Sequence, residues 1–115
     1  MSSNSNFAKC FIVLYRWRLH PGSEASFVEA WSRVSDVLRS ERGSLGSRLH
    51  RGDDGLWYSY AQWPGVTARD DAFALGPVDS AAGQSMKDAI AERLPEIVLE
   101  CTADFLLPID HGSRA

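Results

Sequence analysis

Aromatic side chains are the first candidates for chemistry in this chain. Four tryptophans and three tyrosines occur in 115 residues, and such rings can stack on a flat ligand. Trp63 ends an apolar segment, where it could stack on a ligand or simply anchor the next helix. Tyr15 could donate its phenol to a ligand oxygen, or it could be a core residue with its hydroxyl at the surface. These two residues are the leading candidates for a site that holds an aromatic molecule.

Histidine and arginine side chains supply the remaining candidates. His50 is the one histidine within a predicted strand, and imidazole can act as a general base because it titrates near neutral pH. The alternative for His50 is an exposed or interface position. Arg16 and Arg48 could bind an anionic substrate or a phenolate. Their alternative use is in ion pairs with Glu100 or Asp104, across the sheet or across a dimer.

Several familiar sites have no counterpart in the sequence. No nucleophile elbow, phosphate-binding loop or dinucleotide fingerprint occurs, and no His, Cys and carboxylate cluster has metal-site spacing. We therefore expect no cofactor and no metal. Cys10 and Cys101 lack a CxxC partner, which predicts two buried thiols in a reducing compartment, with a disulfide or metal site as the alternative.

Composition and charge narrow the class of protein. The net charge of -3 and the pI of about 5.5 argue against a nucleic-acid-binding protein, which normally carries a basic patch. No apolar run is long enough to span a membrane, and the polar, uncharged start does not resemble a secretory signal. We therefore expect a cytoplasmic protein with one domain over residues 7–108, flanked by disordered tails at 1–6 and 109–115.

Periodicity and turn residues divide this domain into strands and helices. Pro95 is expected to end the last helix, and a Thr67–Asp70 capping box is expected to begin the short helix before it. The predicted order is a strand at 10–19, a helix from Ser23 to Gly43, strands at 45–51 and 56–63, a helix from 67 to about 75, a helix from 79 or 80 to 94, and a strand at 97–107.

The order of these elements predicts the fold class. A strand, helix, strand, strand, helix, strand sequence with right-handed crossovers gives an α+β, ferredoxin-like domain. Its four strands form one antiparallel sheet, and the helices cover one face of that sheet.

The other face of the sheet would be left uncovered. Side chains alternate along a strand, so this face is predicted to carry the apolar residues Ile12, Leu14, Leu56, Tyr58, Tyr60 and Val98. A large exposed apolar patch is unusual on a monomer. A second copy that packs sheet against sheet would bury it, which predicts a homodimer. A monomer with a partly polar open face is the alternative.

Three segments resemble the antibiotic biosynthesis monooxygenase family of the dimeric α/β barrel superfamily. They are FIVLYRWRLHPGSEASFVEAW, RGSLGSRLHR and GLWYSYAQWPGVTARDDAF, and the resemblance covers roughly residues 11–107. It implies a homodimer with a pocket between sheet and helices, lined by the face that carries Tyr15 and Trp63. Some members oxidise electron-rich polycyclic phenols without a metal or organic cofactor, because the substrate itself reduces oxygen. Catalytic roles would then fall to Trp63, Tyr15 and His50, and substrate binding to Trp17, Trp57, Arg16 and Arg48.

The chain departs from the haem-degrading members of this family. Tyr15 stands where those members carry an Asn, and the second helical region has no His to bind haem iron. These departures argue against haem degradation, and the missing Asn also argues against an Asn-assisted oxidation of quinols. The resemblance still implies a cofactor-independent monooxygenase that acts on an aromatic or polycyclic small molecule. The alternative is a non-catalytic dimeric domain of the same fold that binds a small molecule or regulates another protein.

Overall fold

The computed structural model describes residues 11–107, and their strands form one antiparallel sheet in the order β2-β3-β1-β4. The predicted ferredoxin-like architecture is confirmed, with the second helical region split in two as expected. The predicted tails and Cys10 lie outside the described residues. The elements in chain order are β1 Phe11–Leu19, α1 Glu24–Glu41, β2 Gly46–Arg51, β3 Trp57–Trp63, α2 Val66–Ala74, α3 Ser80–Ala89 and β4 Ile90–Glu100.

Side-chain alternation along β1 decides what lies beneath the helices. Its odd-numbered positions face all three helices. Val13 packs with Ala72 of α2, and Trp17 packs with Phe27 of α1 and Ala89 of α3. Val13 and Phe27 are fully buried. The three helices therefore cover one face of the sheet, and the core lies between them and β1 and β3.

The start and end of α1 follow the predicted signals in part. Ser23 is the residue before the helix, but its side chain makes no capping hydrogen bond. Its carbonyl instead accepts a bond from the Ser26 hydroxyl at 3.0 Å. Gly43 has φ +86°, the left-handed conformation predicted for a residue that ends a helix.

The boundary between α3 and β4 differs from the prediction. The helix ends at Ala89 and the strand begins at Ile90, five residues before Pro95, which was expected to end the helix. The apolar residues Ile90 and Leu94 are four apart, a spacing that fits one face of a helix and also one face of a strand. Pairing with β1 favours the strand here, with Leu19 opposite Ile90.

Pro95 lies inside β4 because of an irregularity in the pairing. Leu14 of β1 pairs with Ile97 and Arg16 pairs with Leu94, so two residues of β4 oppose one residue of β1. This is a β-bulge on an edge strand, where a residue without an N–H is tolerated. The bulge inserts Pro95 and Glu96 directly opposite Tyr15.

The end of the chain also differs from the prediction of a strand to Leu107. β4 ends at Glu100, and residues 101–107 have no regular secondary structure. Cys101 is unpaired and half-buried rather than fully buried. No helix within residues 11–107 is long and apolar enough to cross a lipid bilayer.

The turn between α2 and α3 is held by Arg42, the residue that follows α1. The side chain of Arg42 donates hydrogen bonds to the carbonyls of Ala72 and Gly76, at 2.7 and 3.0 Å. Asp79 caps α3 by accepting a bond from the Ala82 N–H at 2.9 Å, as predicted. The Thr67 capping box is wrong, because α2 begins at Val66 and its preceding residue is a glycine.

The uncovered face of the sheet is apolar, as predicted, but its members differ. Ile97 and Leu99 lie on it, and each is 38% exposed. Val98 does not, because it pairs with Val13 on the helix-facing side. Ile12 is already only 2% exposed within a single chain, since it lies between two paired strands.

Candidate functional site

A partly open cavity of about 570 Å³ lies between the sheet and the helices. This volume is within the range of small-molecule sites. The loop from Gly76 to Asp79 forms part of its wall. The large side chains that line it include five aromatic residues and one arginine: Tyr15, Trp17, Trp31, Trp63, Phe73 and Arg69. The resemblance to the monooxygenase family implies a cavity at this position.

Trp63 forms the deep wall of the cavity. It is the last residue of β3, and Pro64-Gly65 then turns the chain into α2. The indole is 1% exposed, and the edge of Phe73 meets it at 5.8 Å between centroids and 82° between planes. The Trp63 Nε1 is buried and has no hydrogen-bond acceptor among the described residues.

Tyr15 lies beside Trp63 at an odd position of β1. Its ring stacks on Trp17 with centroids 6.2 Å apart, and its hydroxyl is buried without a hydrogen-bond partner in the described part of the chain. Burial raises the pKa of Tyr15 to about 12, although the charge of Arg69 opposes this rise. Tyr15 is therefore neutral near pH 7, where it can donate a hydrogen bond but is a poor base.

The Trp63 N–H is close enough to lower the pKa of the Tyr15 hydroxyl slightly. No hydrogen bond nevertheless joins the two groups, and both atoms are without a partner among the described residues.

Arg69 projects from α2 across the same space. Its Nη1 donates to the Glu96 carboxylate at 2.6 Å, and its Cζ lies 5.4 Å from the ring centre of Phe73 and 6.0 Å from that of Tyr15. Burial works against its charge, but the hydrogen bond that Arg69 donates to the Glu96 carboxylate and the nearby negative charge hold the pKa of Arg69 above its usual value. The guanidinium is therefore a permanent cation, and its Nε is buried without an acceptor among residues 11–107.

Three buried polar groups without partners therefore border one cavity: the Tyr15 hydroxyl, the Trp63 N–H and the Arg69 Nε–H. An unsatisfied buried donor costs about 1–3 kcal/mol, and most buried polar atoms in folded proteins have a partner. All three of these groups can donate a hydrogen bond. A ligand that carries an acceptor oxygen would satisfy them.

The structure brings together part of the predicted site. Trp63, Tyr15 and Trp17 all line the cavity. Trp57 faces the same side of the sheet but packs edge-on against Phe27 at 6.2 Å and is not part of the cavity wall. Its predicted role in substrate binding stays a prediction.

Three other predicted site residues lie on the opposite face of the sheet. His50 and Arg16 both pair with Tyr58, and Arg48 pairs with Tyr60. These even-numbered positions point away from the helices and from the cavity. Their predicted roles stay predictions, and the site described here is built without them.

Within one chain, the arginines at the charged end of β1 do not form the predicted ion pairs with Glu100 or Asp104. Such pairs across a dimer stay a prediction. The Arg16 guanidinium donates to the Pro95 carbonyl at 2.8 and 3.2 Å, and Arg18 pairs with Glu92 at 3.1 Å. Neither reaches Glu100. The reason is the register of β4, which places residues 92–95 rather than 100 beside the charged end of β1.

Arg69 and Glu96 are the site residues that the sequence did not reveal. Arg69 resembles any charged residue near the start of a helix, and Glu96 fell between the predicted last helix, which ended at residue 94, and the strand predicted to begin at residue 97. The proline beside Glu96 was a usable signal, because Pro within a strand-like segment marks an edge or a bulge, and bulges re-aim side chains near active sites. Among the described residues, no three His, Cys, Asp or Glu side chains are grouped as metal ligands.

Comparisons with known proteins agree with this fold. Residues 10–65, just under half of the chain, match the family model described as antibiotic biosynthesis monooxygenase. No match was found among curated protein sequences. Solved structures of low sequence identity share the fold.

One similar structure is a monooxygenase from the gene ActVA-Orf6 of Streptomyces coelicolor in complex with nanaomycin D, at 19% identity and a TM-score of 0.68, covering 88% of this chain and 95% of that one. Another is a variant of SnoaB, a cofactor-independent oxygenase from Streptomyces nogalater, at 15% identity and a TM-score of 0.69, covering 84% and 97%. A third is Rv0793 from Mycobacterium tuberculosis, at 16% identity and a TM-score of 0.63, covering 90% and 98%.

Identities this low show a shared fold and leave activity open. Evidence for the family comes separately from the family model, whose match spans β1 to β3 and includes both Tyr15 and Trp63. The resemblance predicted from the sequence is therefore confirmed, and residues 10–65 carry the signature of the antibiotic biosynthesis monooxygenase family.

Proposed function

We propose that the chain is a cofactor-independent monooxygenase for an aromatic or polycyclic phenol. The observation that carries this proposal is the set of three unsatisfied donors, from Tyr15, Trp63 and Arg69, in a cavity walled by aromatic rings. A flat ligand would pack against the rings. Its phenolic or keto oxygen would accept the free hydrogen bonds.

The charge of the site suits an oxygen that becomes negative. A neutral Tyr15 hydroxyl and a permanently charged Arg69 both favour a phenolate or enolate over its neutral form. Donors fixed in place before the reaction stabilise a developing negative charge in a water-poor site, typically by several kcal/mol. The Arg69–Glu96 hydrogen bond and the adjacent rings keep the guanidinium in position.

Such a phenolate is the electron source for oxygen in the proposed reaction. Two hydrogens on an activated ring carbon are replaced by one oxygen atom of O₂, and the other oxygen atom leaves as water. The substrate supplies the electrons that reduce O₂ and the two protons of the water, so the reaction needs no external reductant. The protein holds the ring, stabilises its anion and limits the access of water.

The similar structures give this proposal independent support. One is named a monooxygenase and holds nanaomycin D, and another is named a cofactor-independent oxygenase. Both share the fold that forms the cavity here.

A non-catalytic binding or regulatory domain is the second candidate function. The observation that favours it is the absence of an imidazole from the cavity wall formed by residues 11–107. Glu96 is the carboxylate nearest to the donors, and it is already bonded to Arg69. The site therefore lacks an obvious free base to deprotonate a substrate of high pKa.

We also propose that two copies associate through the uncovered face of the sheet. Ile97, Leu99 and Tyr60 on this face are each more than a third exposed, and burial of apolar area contributes roughly 25 cal/mol per Å² before the costs of association. A second copy about a two-fold axis presents the same apolar surface and would cover it.

Oxygen uptake with anthrone tests the enzymatic proposal. We expect anthrone to be converted to anthraquinone faster than in buffer, with one O₂ consumed per product. Arg69→Gln should lower kcat about 100-fold, since loss of one charge-stabilising donor costs this much in other enzymes. Trp63→Phe and Tyr15→Phe should each lower it less. Arg39→Gln removes an exposed charge that is not part of the cavity wall and serves as the matched control.

Two outcomes would contradict the enzymatic proposal. Uptake no faster than in buffer across a panel of anthrones and quinols would favour the binding domain. Equal rates for Arg69→Gln and Arg39→Gln would show that any activity arises elsewhere.

Sedimentation at micromolar concentration tests the dimer. We expect two copies for the wild type and one copy for Leu99→Lys, because the substitution places a charge in the apolar interface. Val98→Lys is the matched control, since it lies next in the strand, on the other face, and is 56% exposed. A monomeric wild type would refute the dimer but leave the cavity unaffected.

A further inference from the structure

Two cations at the edge of the cavity have no partner among residues 11–107. Arginines in the described part of the chain mostly engage a carboxylate, a carbonyl or an aromatic ring. Lys87, Arg93 and Arg48 make no such contact with other described residues. Arg48 lies on the far face of the sheet, whereas Lys87 and Arg93 both line the cavity.

Lys87 and Arg93 reach the cavity from two different elements. Lys87 is in the last turn of α3. Arg93 is on β4 directly opposite Trp17, so it shares the helix-facing side of the sheet. Both are exposed, which places them at the solvent edge of the cavity, whereas the three unsatisfied donors are buried.

Nearby carboxylates do not neutralise these two charges. Asp79 also lines the cavity, but it caps α3 through the Ala82 N–H at 2.9 Å and pairs with Arg33 at 3.3 Å. Glu96 is held by Arg69 at 2.6 Å. The edge of the cavity thus combines two engaged carboxylates with two free cations.

We propose that Lys87 and Arg93 bind an anionic substituent, a carboxylate, on the aromatic ligand of the cavity. This inference rests on the proposed function, because it assumes that the ring system lies between the edge and the buried donors. The ligand would present its phenolic oxygen to Tyr15 and Arg69 and its carboxylate to the two cations. Charge-assisted hydrogen bonds are stronger than neutral ones, and such a subsite would select acidic aromatic ligands over neutral ligands of the same outline.

Titration calorimetry with a matched ligand pair tests the subsite. The probes are 6-hydroxy-2-naphthoate and its neutral methyl ester, which share the hydroxyl and the ring system. We expect the acid to bind about tenfold more tightly than the ester at low ionic strength, which corresponds to roughly 1.4 kcal/mol. The preference should shrink in high salt because the two cations are exposed.

Substitution separates the subsite from general surface charge. Lys87→Gln and Arg93→Gln should each reduce the preference for the acid, and the double variant should abolish it, while the affinity for the ester stays constant. Arg39→Gln, which removes the same charge from α1 outside the cavity wall, should leave the preference intact. If Arg39→Gln reduces the preference as much as Arg93→Gln does, the effect is one of net charge and the subsite is refuted.

The outcomes also separate this inference from the proposed function. If both probes bind with equal affinity and anthrone is oxidised, the anionic subsite is refuted and the oxygenase stands. If neither probe binds and anthrone is not oxidised, the cavity does not take aromatic phenols and both proposals fail. If the acid is preferred without any oxidation, the subsite stands in a binding protein.

Discussion

Trp31 and Trp63 both pack an indole between the helices and the same face of the sheet, and both border the cavity, but their hydrogen bonding and their neighbours differ. The Trp31 N–H donates to the Ser59 hydroxyl at 3.1 Å. The Trp63 N–H has no acceptor among residues 11–107. Trp31 extends from α1, next to the packed rings of Trp17, Phe27 and Trp57, whereas Trp63 faces α2 beside Tyr15.

This difference separates a structural region from a candidate site within one core. Phe27 packs edge to face against Trp17 and Trp57, with ring centroids 5.1 and 6.2 Å apart. The neighbouring Trp31 N–H has its hydrogen-bond acceptor in Ser59. The region around Trp63 instead leaves three polar groups unpaired. Proteins tolerate unsatisfied buried groups mainly where a ligand or a function requires them. We therefore expect substitutions around Phe27 to affect stability and those around Trp63 to affect binding.

Phe27→Ala should give the largest loss of stability. Phe27 is fully buried, and such a truncation costs about 3–5 kcal/mol because it leaves a cavity. Phe73→Ala is the matched control: Phe73 is 45% exposed at the edge of the site, so it should cost far less stability and weaken ligand binding instead. Urea denaturation and calorimetry measure the two effects. Equal losses of stability would erase the distinction between the regions.

Tyr15→Phe should have the next largest effect on stability, and this effect should appear only at alkaline pH. Burial raises the pKa of Tyr15 from 10.0 to about 12, so between these values the unfolded chain releases a proton that the folded chain retains. The free energy of unfolding should therefore fall as the pH rises from 10 to 12, by up to about 2 kcal/mol. The phenylalanine variant should lose this part of the decline.

Measurement near pH 7 provides the control for this prediction. There Tyr15 is neutral in both states, and its hydroxyl is unsatisfied in the fold, so Tyr15→Phe should leave stability unchanged or slightly higher. A loss of more than about 1 kcal/mol near pH 7 would mean that the hydroxyl has a stabilising partner.

The sequence was sufficient for the fold because the signals for most elements were local. Alternation along β1, the apolar stripe of α1 and the Gly-containing turn after Arg51 each depend on a few neighbouring residues. The α3–β4 boundary could not be predicted in this way, since the spacing of Ile90 and Leu94 fits both structures. Pairing with β1, a long-range interaction, decided it.

For a related reason, the sequence predicted the aromatic residues of the site but not its charged residues. Tyr15 and Trp63 lie in strands whose faces follow from alternation, so their positions could be inferred together. Arg69 and Glu96 are far apart in sequence, and they meet only because the bulge at Pro95 presents Glu96 towards α2. The sequence did not decide which face of the sheet His50 lies on. The β2–β3 register places it on the face away from the helices and the cavity.

A pair of double-mutant cycles gives the smallest expected effects and tests the comparison most directly. Trp31→Phe and Ser59→Ala should show a coupling energy of about 1 kcal/mol, the net value of the hydrogen bond between them. Trp63→Phe and Tyr15→Phe should show a coupling within about 0.5 kcal/mol of zero, because their polar groups are adjacent but not bonded. Urea denaturation of the wild type and the six variants measures both coupling energies. A coupling near 1 kcal/mol in the second cycle would mean that Trp63 donates to Tyr15 in solution, so that the cavity offers a ligand one free donor fewer.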